Sequence, residues 1–302
     1  MDYLEAYARD NRFDVRLGVD ARRIDRDGRN RWTVATSQGS WAAADVIVAT
    51  GWDAEPRFPP WMGTSRFAGP LLHTSELDDV SRFGGQRVLV VGAGNSGIDI
   101  AGLLVRAGAA VTVSMRTPPS IFPRDWFGVP MGPLALIGEH SPVAVVDVLG
   151  RFIQRQVYGD LSSYGIPRAP EGYVSRFRRT GVNPAVDDGF VAALKAGRAT
   201  IVAEVDRLEP DGAVLATGER VAADAVICAT GYRRGLEGVV GHLGALDDRG
   251  VPRYPGGAPG DPATPGLYFA GFEVALSGSI RASGRHARRI AKAVVADGHK
   301  RV

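Results

Sequence analysis

An α/β fold is predicted by three features of the sequence. First, a continuous apolar run, Val88 to Val91, leads directly into Gly92, Gly94 and Gly97 and then into a helical pattern, all within Arg87 to Val113. Second, the blocks WAAADVIVATG and VAADAVICATG repeat with an offset of 180 residues, from Gly51 to Gly231. Third, short strand-like runs broken by turn residues precede each block. A repeat of this kind predicts two related halves, each a three-layer ββα arrangement of the Rossmann type: a meander, a parallel sheet and helices.

The glycine run is the most informative stretch. Val88 to Val91 reads as a strand buried on both faces. Ile98, Ala101, Leu104 and Val105 lie on one face of the following helix, which Gly108 stops, and Ala110 to Val113 reads as a second strand. G-x-G-x-x-G between a strand and a helix marks a dinucleotide site, because the glycines let backbone N–H groups approach a pyrophosphate at a helix N-terminus. Gly92, Ala93, Gly94, Asn95, Ser96 and Gly97 are therefore candidate cofactor-binding residues. A site for NAD usually carries an acid about 20 residues beyond the glycines. Here the second strand runs into Ser114-Met115-Arg116-Thr117, with no acid until Asp125. A carboxylate would repel a 2′-phosphate, whereas Ser114 and Arg116 would bind one, so NADP(H) is the expected coenzyme.

Taken in order, residues 1–12 read as a helix with Tyr3, Leu4 and Tyr7 on one face. Strands are expected at Asp14–Leu17, Ala21–Asp25, Arg31–Ser37 and Asp45–Thr50, with turns at Asp27-Gly28 and Gln38-Gly39. The second copy repeats the order: Ala199–Ala203, Val205–Leu208, a turn at Asp211-Gly212, Ala213–Thr217, then Ala225–Gly231. In that copy the strand–glycine turn–helix–strand unit lies upstream of the meander. The first copy has only one helix before its meander, so it is expected to lack its first βαβ unit. Either that half is truncated, or an upstream frame encodes the rest.

The expected organisation is residues 1–60 as the N-terminal part of one dinucleotide domain and 61–83 as a linker. Residues 84–218 form the second domain with an insertion at 117–180, and 219–302 return to the first domain, which is discontinuous. The insertion is rich in aromatics, including Phe122, Trp126, Phe127, Phe152, Tyr158, Tyr164 and Tyr173. These either line a substrate pocket or pack helices such as Val143–Val157 onto the sheet. Near the C-terminus, Gly266–Ala270 reads as a strand ending in Gly271-Phe272, and Ser277–Val295 as a helix.

Composition narrows the function. The net charge is +3 and lysine occurs only at Lys195, Lys292 and Lys300, with arginines scattered and not striped with aromatics, so nucleic acid is not an expected partner. Neither a signal peptide nor an apolar run of about 18 residues is present, which reads as a cytoplasmic protein with no membrane partner. No cluster with metal-ligand spacing occurs. The lone Cys228, inside AVICAT, excludes a C-x-x-C redox pair.

The motifs jointly resemble the flavin-containing monooxygenases, class B flavoprotein monooxygenases, in particular the bacterial and YUCCA-like branch. FAGPLLH, with Phe67, Gly69 and His73, is similar to the F-x-G-x-x-x-H fingerprint of that class. VVGAGNSG is similar to its NADPH loop, VICATGY (Ala229, Thr230, Gly231, Tyr232) to its second A-T-G motif, and GLYFAGF to its C-terminal flavin segment. The resemblance covers nearly the whole chain. It implies an FAD- and NADPH-dependent monooxygenase that transfers one oxygen atom of O2 to a small organic substrate. It also implies flavin contacts at Thr50, Gly51, Gly271 and Phe272. Arg116 acquires a second possible role under this resemblance, stabilising negative charge that develops on the oxygenated flavin; no acid–base residue is assigned. Position 77, four residues after His73, is leucine where the fingerprint has an aromatic, which leaves heteroatom oxygenation and Baeyer–Villiger insertion both open. The family's N-terminal G-x-G-x-x-G does not occur in this sequence, so a flavin-free NADP(H)-binding remnant or sensor is the alternative. His73 is expected to act as a hinge.

Overall fold

The computed structural model describes residues 2–27, 31–130, 141–273, 275–276 and 278–298. Helix α1 (Asp2–Asp10) leads to strands β1 (Ala21–Arg26), β2 (Trp32–Thr36), β3 (Gly39–Ala43) and β4 (Val46–Val48). Strand β5 (Leu71–His73) precedes β6 (Arg87–Val91), α2 (Asn95–Arg106) and β7 (Ala110–Ser114). The insertion supplies β8 (Ile121–Pro123), α3 (Val143–Tyr158) and α4 (Tyr173–Thr180). After it come β9 (Ala185–Asp187), α5 (Phe190–Lys195), β10 (Ala199–Val202), β11 (Val205–Glu209), β12 (Gly212–Leu215), β13 (Arg220–Ala222) and β14 (Ala225–Cys228). The chain closes with α6 (Glu237–Val240), β15 (Leu267–Phe269) and α7 (Ser279–Gly298). Two compact units result: Met1–Trp52 with Arg234–Glu273 and Ser283–Val302, and Asp53–Arg233 with Val274–Ala282.

The second unit is built on a parallel five-stranded sheet in the order β10-β7-β6-β14-β5. Its first four strands follow the 3-2-1-4 order of a mononucleotide-binding half. The apolar run of β6 is continuous because each of its faces meets a different layer. Val88 and Val90 pack with Ile98, Ala101 and Leu104 of α2, whereas Leu89 and Val91 join Val205, Leu208 and Leu215 of the antiparallel meander β11-β12-β13. Asp224 ties the start of β6 to that of β14: its carboxylate accepts the Arg87 N–H at 2.8 Å and the guanidinium at 2.6 Å. Arg87 holds the Asp224 carboxyl at about 2, below its ordinary 3.8. A depressed carboxylate stabilises the fold above its unfolded value and loses that contribution as pH falls toward its folded value. Asp224→Asn is therefore expected to shrink the fall in urea midpoint between about pH 4 and 2, measured by denaturation at each pH.

The first unit repeats the theme. Strands β1-β2-β3 form an antiparallel meander, and β4 pairs in parallel with β15. Trp32, fully buried, packs with Ile24, Val48, Phe269 and Phe272, and its indole N–H donates to the Pro265 carbonyl.

Several expectations shift. Asp14–Leu17 is not a strand; Arg16 folds back on Asp14 in a two-bonded ion pair, and Val15 and Leu17 are exposed. Each meander instead takes its third strand, β3 or β13, from a stretch not read as one. Helix α1 forms, but Tyr3, Leu4 and Tyr7 lie exposed on it. Within the expected linker, Leu71–His73 is an edge strand of the parallel sheet. Gly28, Ser277 and residues 131–140 of the insertion lie outside the described residues. None of the described helices is long and apolar enough to cross a membrane.

Candidate coenzyme site

The expected turn is built as a close approach of three backbones. Gly92 sits at φ 109°, a left-handed conformation open to glycine, and a Cβ there would lie 2.5 Å from the Ala229 carbonyl oxygen. A Cβ on Gly97 would lie 1.9 Å from the Gly92 oxygen, so α2 starts pressed against the end of β6. Gly94 is different: it has ordinary extended backbone, and nothing lies within 4 Å of an added Cβ. The open side of the turn is thus at Gly94. There the first N–H groups of α2, which have no intrahelical acceptor, face an anion-favouring site.

A cavity of about 440 Å³ opens at this point, lined by Gly92, Ala93 and Gly94, by Ala229 and Thr230, and by the end of β7. It lies at the C-terminal ends of β6 and β14, the switch point of the sheet, where open α/β sheets bind ligands. Three guanidinium groups line it, Arg57, Arg116 and Arg176, against one carboxylate, Glu204. Arg116 is exposed and makes no hydrogen bond or ion pair to the described residues. Arg176, half-buried on α4, donates to the Pro118 carbonyl, and burial pushes its pKa down. A nicotinamide dinucleotide fits this donor set: unsatisfied N–H groups at the glycine turn and three cations against the single acid, Glu204, which lies beside the end of β7.

Not every expected ligand is free to serve. Ser114 is buried, and its hydroxyl proton goes to the Ala203 carbonyl at 2.8 Å, so it has no proton for a phosphate. The Asn95 side-chain oxygen accepts the Val186 N–H at 2.9 Å, tying α2 to β9. Ser96 is exposed in the first turn of α2. Of the insertion aromatics, only Tyr173 lines the cavity. Phe122 and Tyr158 are buried packing residues, while Phe127 and Phe152 are exposed. Arg57 and Arg176 were not foreseen, because sequence spacing carries no sign of which residue before the glycine turn or in the insertion turns toward the sheet.

The fingerprint FAGPLLH is structural. Phe67 fills the core between sheet and meander. Gly69 lets the chain cross the Asp224 carbonyl, where a Cβ would lie 2.1 Å from the oxygen. His73 is fully buried, and the Ser75 N–H donates to its Nδ1 at 3.2 Å, so the ring proton is on Nε2 and reaches the Gly231 carbonyl at 3.1 Å. The same carbonyl accepts the Arg57 N–H at 3.0 Å, and the Thr230 hydroxyl donates to the Arg57 carbonyl. His73 is therefore a clasp on Ala229-Thr230-Gly231, 158 residues away, and not a hinge.

In the first unit, Thr50 and Gly51 follow β4, with Gly51 at φ 76°. Both backbone groups of Gly271 already have partners in the first unit. Its N–H goes to His286 Nδ1 at 3.3 Å and its carbonyl accepts the Trp52 indole N–H at 2.8 Å. Phe272 is a core residue, 1% exposed. These two residues do not fit the expected flavin contact. Cys228 is buried in the central strand, its thiol pushed up to about 12 by burial, and is unreactive at neutral pH. Among the described residues no cluster could hold a metal.

The sequence family described as pyridine nucleotide-disulphide oxidoreductase matches residues 1–124. The chain is 30% identical to the probable indole-3-pyruvate monooxygenase YUCCA4 of Arabidopsis thaliana over 90% of its own length and 66% of that protein's. It is 36% identical to indole-3-pyruvate monooxygenase YUCCA8 of Oryza sativa over 62% of its length and 47% of the relative's. It thus spans about half to two thirds of the length of these curated relatives. A flavin-containing monooxygenase from Stenotrophomonas maltophilia shares its fold with TM-score 0.67 at 23% identity, over 97% of this chain and 75% of that one. An oxidised steroid monooxygenase bound to NADP aligns with TM-score 0.71 at 19% identity, over 97% and 69%. By motifs, relatives and fold, the chain belongs to the flavin-containing monooxygenase family.

Proposed function

We propose that the protein is an NADPH- and FAD-dependent monooxygenase that inserts one oxygen atom of O2 into a small organic substrate. The observation that carries the NADPH half is the glycine turn opening at Gly94 onto a cavity whose three arginines, Arg116 at the end of β7 among them, outnumber its one carboxylate, Glu204. The backbone N–H groups at the start of α2 hold the pyrophosphate, Arg116 holds the 2′-phosphate, and Ala229-Thr230, clasped by His73, form the facing wall. Flavin, when bound, supplies hydride acceptance and oxygen activation. On this reading the first unit is the flavin half. It is assembled from three chain segments and has the meander and Ala49-Thr50-Gly51 of the repeat, with no counterpart to the glycine turn among its described residues.

The test is an absorbance spectrum of the purified chain for flavin, with NADPH oxidation and oxygen uptake measured before and after adding FAD. Heteroatom oxygenation and Baeyer–Villiger insertion are distinguished by the product, an N- or S-oxide against an ester. The satisfied backbone of Gly271 favours a second reading, a flavin-free NADP(H)-binding protein; tight NADPH binding without flavin absorbance would establish it. Arg116→Ala is expected to weaken NADP+ binding by about tenfold to a hundredfold, with NAD+ changed by less than about twofold. Titration calorimetry with both coenzymes checks this.

A further inference from the structure

Helix α4 of the insertion lines the coenzyme cavity with two side chains, Tyr173 and Arg176, and the second is a cation. Asp147 of α3, 3% exposed, accepts the Val174 N–H at 2.8 Å, the Ser175 N–H at 3.3 Å and the Ser175 hydroxyl at 2.5 Å. It thereby fixes the first turn of α4. The chain enters that turn at Gly172, where a Cβ would lie 2.0 Å from the Asp147 carboxyl carbon, so helix and carboxylate are held in contact. One residue beyond the fixed pair, Arg176 donates to the carbonyl of Pro118, two residues after Arg116, and lines the same cavity. Its neighbours Arg178 and Arg179 do not line the cavity, and Arg179 is paired with Glu171. Arg176 has no carboxylate within ion-pairing distance among the described residues and is half-buried. A partly desolvated guanidinium whose only acceptor among the described residues is one neutral carbonyl retains donors for an anion, and a fork of five N–H groups suits a phosphate better than a point charge does.

We propose that Arg176 is a second specificity-determining residue for the 2′-phosphate of NADP(H), gripping it from the insertion while Arg116 grips it from the end of β7. The proposal rests on the reading of the cavity as the NADP(H) site. It gives the insertion a role in coenzyme selection, distinct from any role in lining a substrate pocket. It also makes the turn Arg116–Pro119 a jaw with a cation on each side, one of them braced through Pro118.

The test is calorimetric titration of the full chain with NADP+ and, separately, NAD+, for the wild type, Arg176→Gln, Arg176→Lys and the control Arg179→Gln. Arg176→Gln is expected to weaken NADP+ by about tenfold to a hundredfold and NAD+ by less than about twofold. Arg176→Lys, which keeps the charge and a donor for Pro118 and so guards against a folding defect, should lose less than about tenfold. Arg179→Gln should match the wild type for both. Equal loss of NADP+ and NAD+ in Arg176→Gln, or no loss of either, overturns the assignment while leaving the site intact. Failure of the wild type to bind either coenzyme overturns the site itself and the assignment with it.

Discussion

Gly97→Ala is expected to cost the fold about 3 kcal/mol or more and to abolish coenzyme binding. The added methyl would lie 1.9 Å from the Gly92 carbonyl oxygen, 2.8 Å from its carbon and 3.3 Å from the Ala229 methyl group. Two of these are backbone atoms just after a strand buried from Val88 to Val91, so no side chain can swing aside. Relief requires α2 to draw away from β6, which opens the packing of Ile98 and Leu104 against Val88 and Val90. Gly94→Ala is the informative companion. Its backbone suits any residue and its surroundings are empty, so stability should change by less than about 1 kcal/mol, the scale of an unstrained glycine replacement. Coenzyme affinity should still fall, because the methyl occupies the open side of the turn. Thermal melts and NADP+ titrations of the two variants separate the turn's role in folding from its role in binding. Equal stability loss in both would contradict the geometry.

His73→Ala ranks second, with an expected loss of about 3 kcal/mol. The substitution removes a fully buried ring that touches Phe58 and Tyr232 edge-on, at 5.8 and 4.7 Å between ring centres. It also removes the Nε2 donor from the Gly231 carbonyl and the Nδ1 acceptor from the Ser75 N–H. Because Gly231 ends the segment that walls the cavity, NADP+ affinity should fall along with stability. Urea denaturation with and without saturating NADP+ measures both; a variant of unchanged midpoint would show that the clasp contributes nothing.

The sequence reveals the β6–turn–α2–β7 unit closely because every signal there is local: an apolar run, glycines at fixed spacing and a helical stripe. The offset of 180 residues likewise pointed to two meanders ending in matched strands. What escaped notice was the third strand of each. β3 is exposed along most of its length and β13 at both ends, so neither shows an apolar face to read. Asp14–Leu17 failed in the opposite sense: its residues alternate like a strand, but no neighbouring edge pairs with them, and a local ion pair takes over. His73 and Arg176 were illegible for a third reason. Their roles depend on a partner far off in sequence or on the path of an insertion, and neither leaves a mark in spacing.

The placement of Cys228 gives the molecule a built-in clock. It is the chain's only thiol, fully buried in β14 between β6 and β5, and its pKa near 12 leaves almost no thiolate at neutral pH. A thiol reagent therefore finds it only when the middle of the sheet comes apart, so the alkylation rate counts openings of the central strands. Since β14 ends in the wall of the coenzyme cavity, a bound dinucleotide should slow that count, and one cysteine reports ligand occupancy as time.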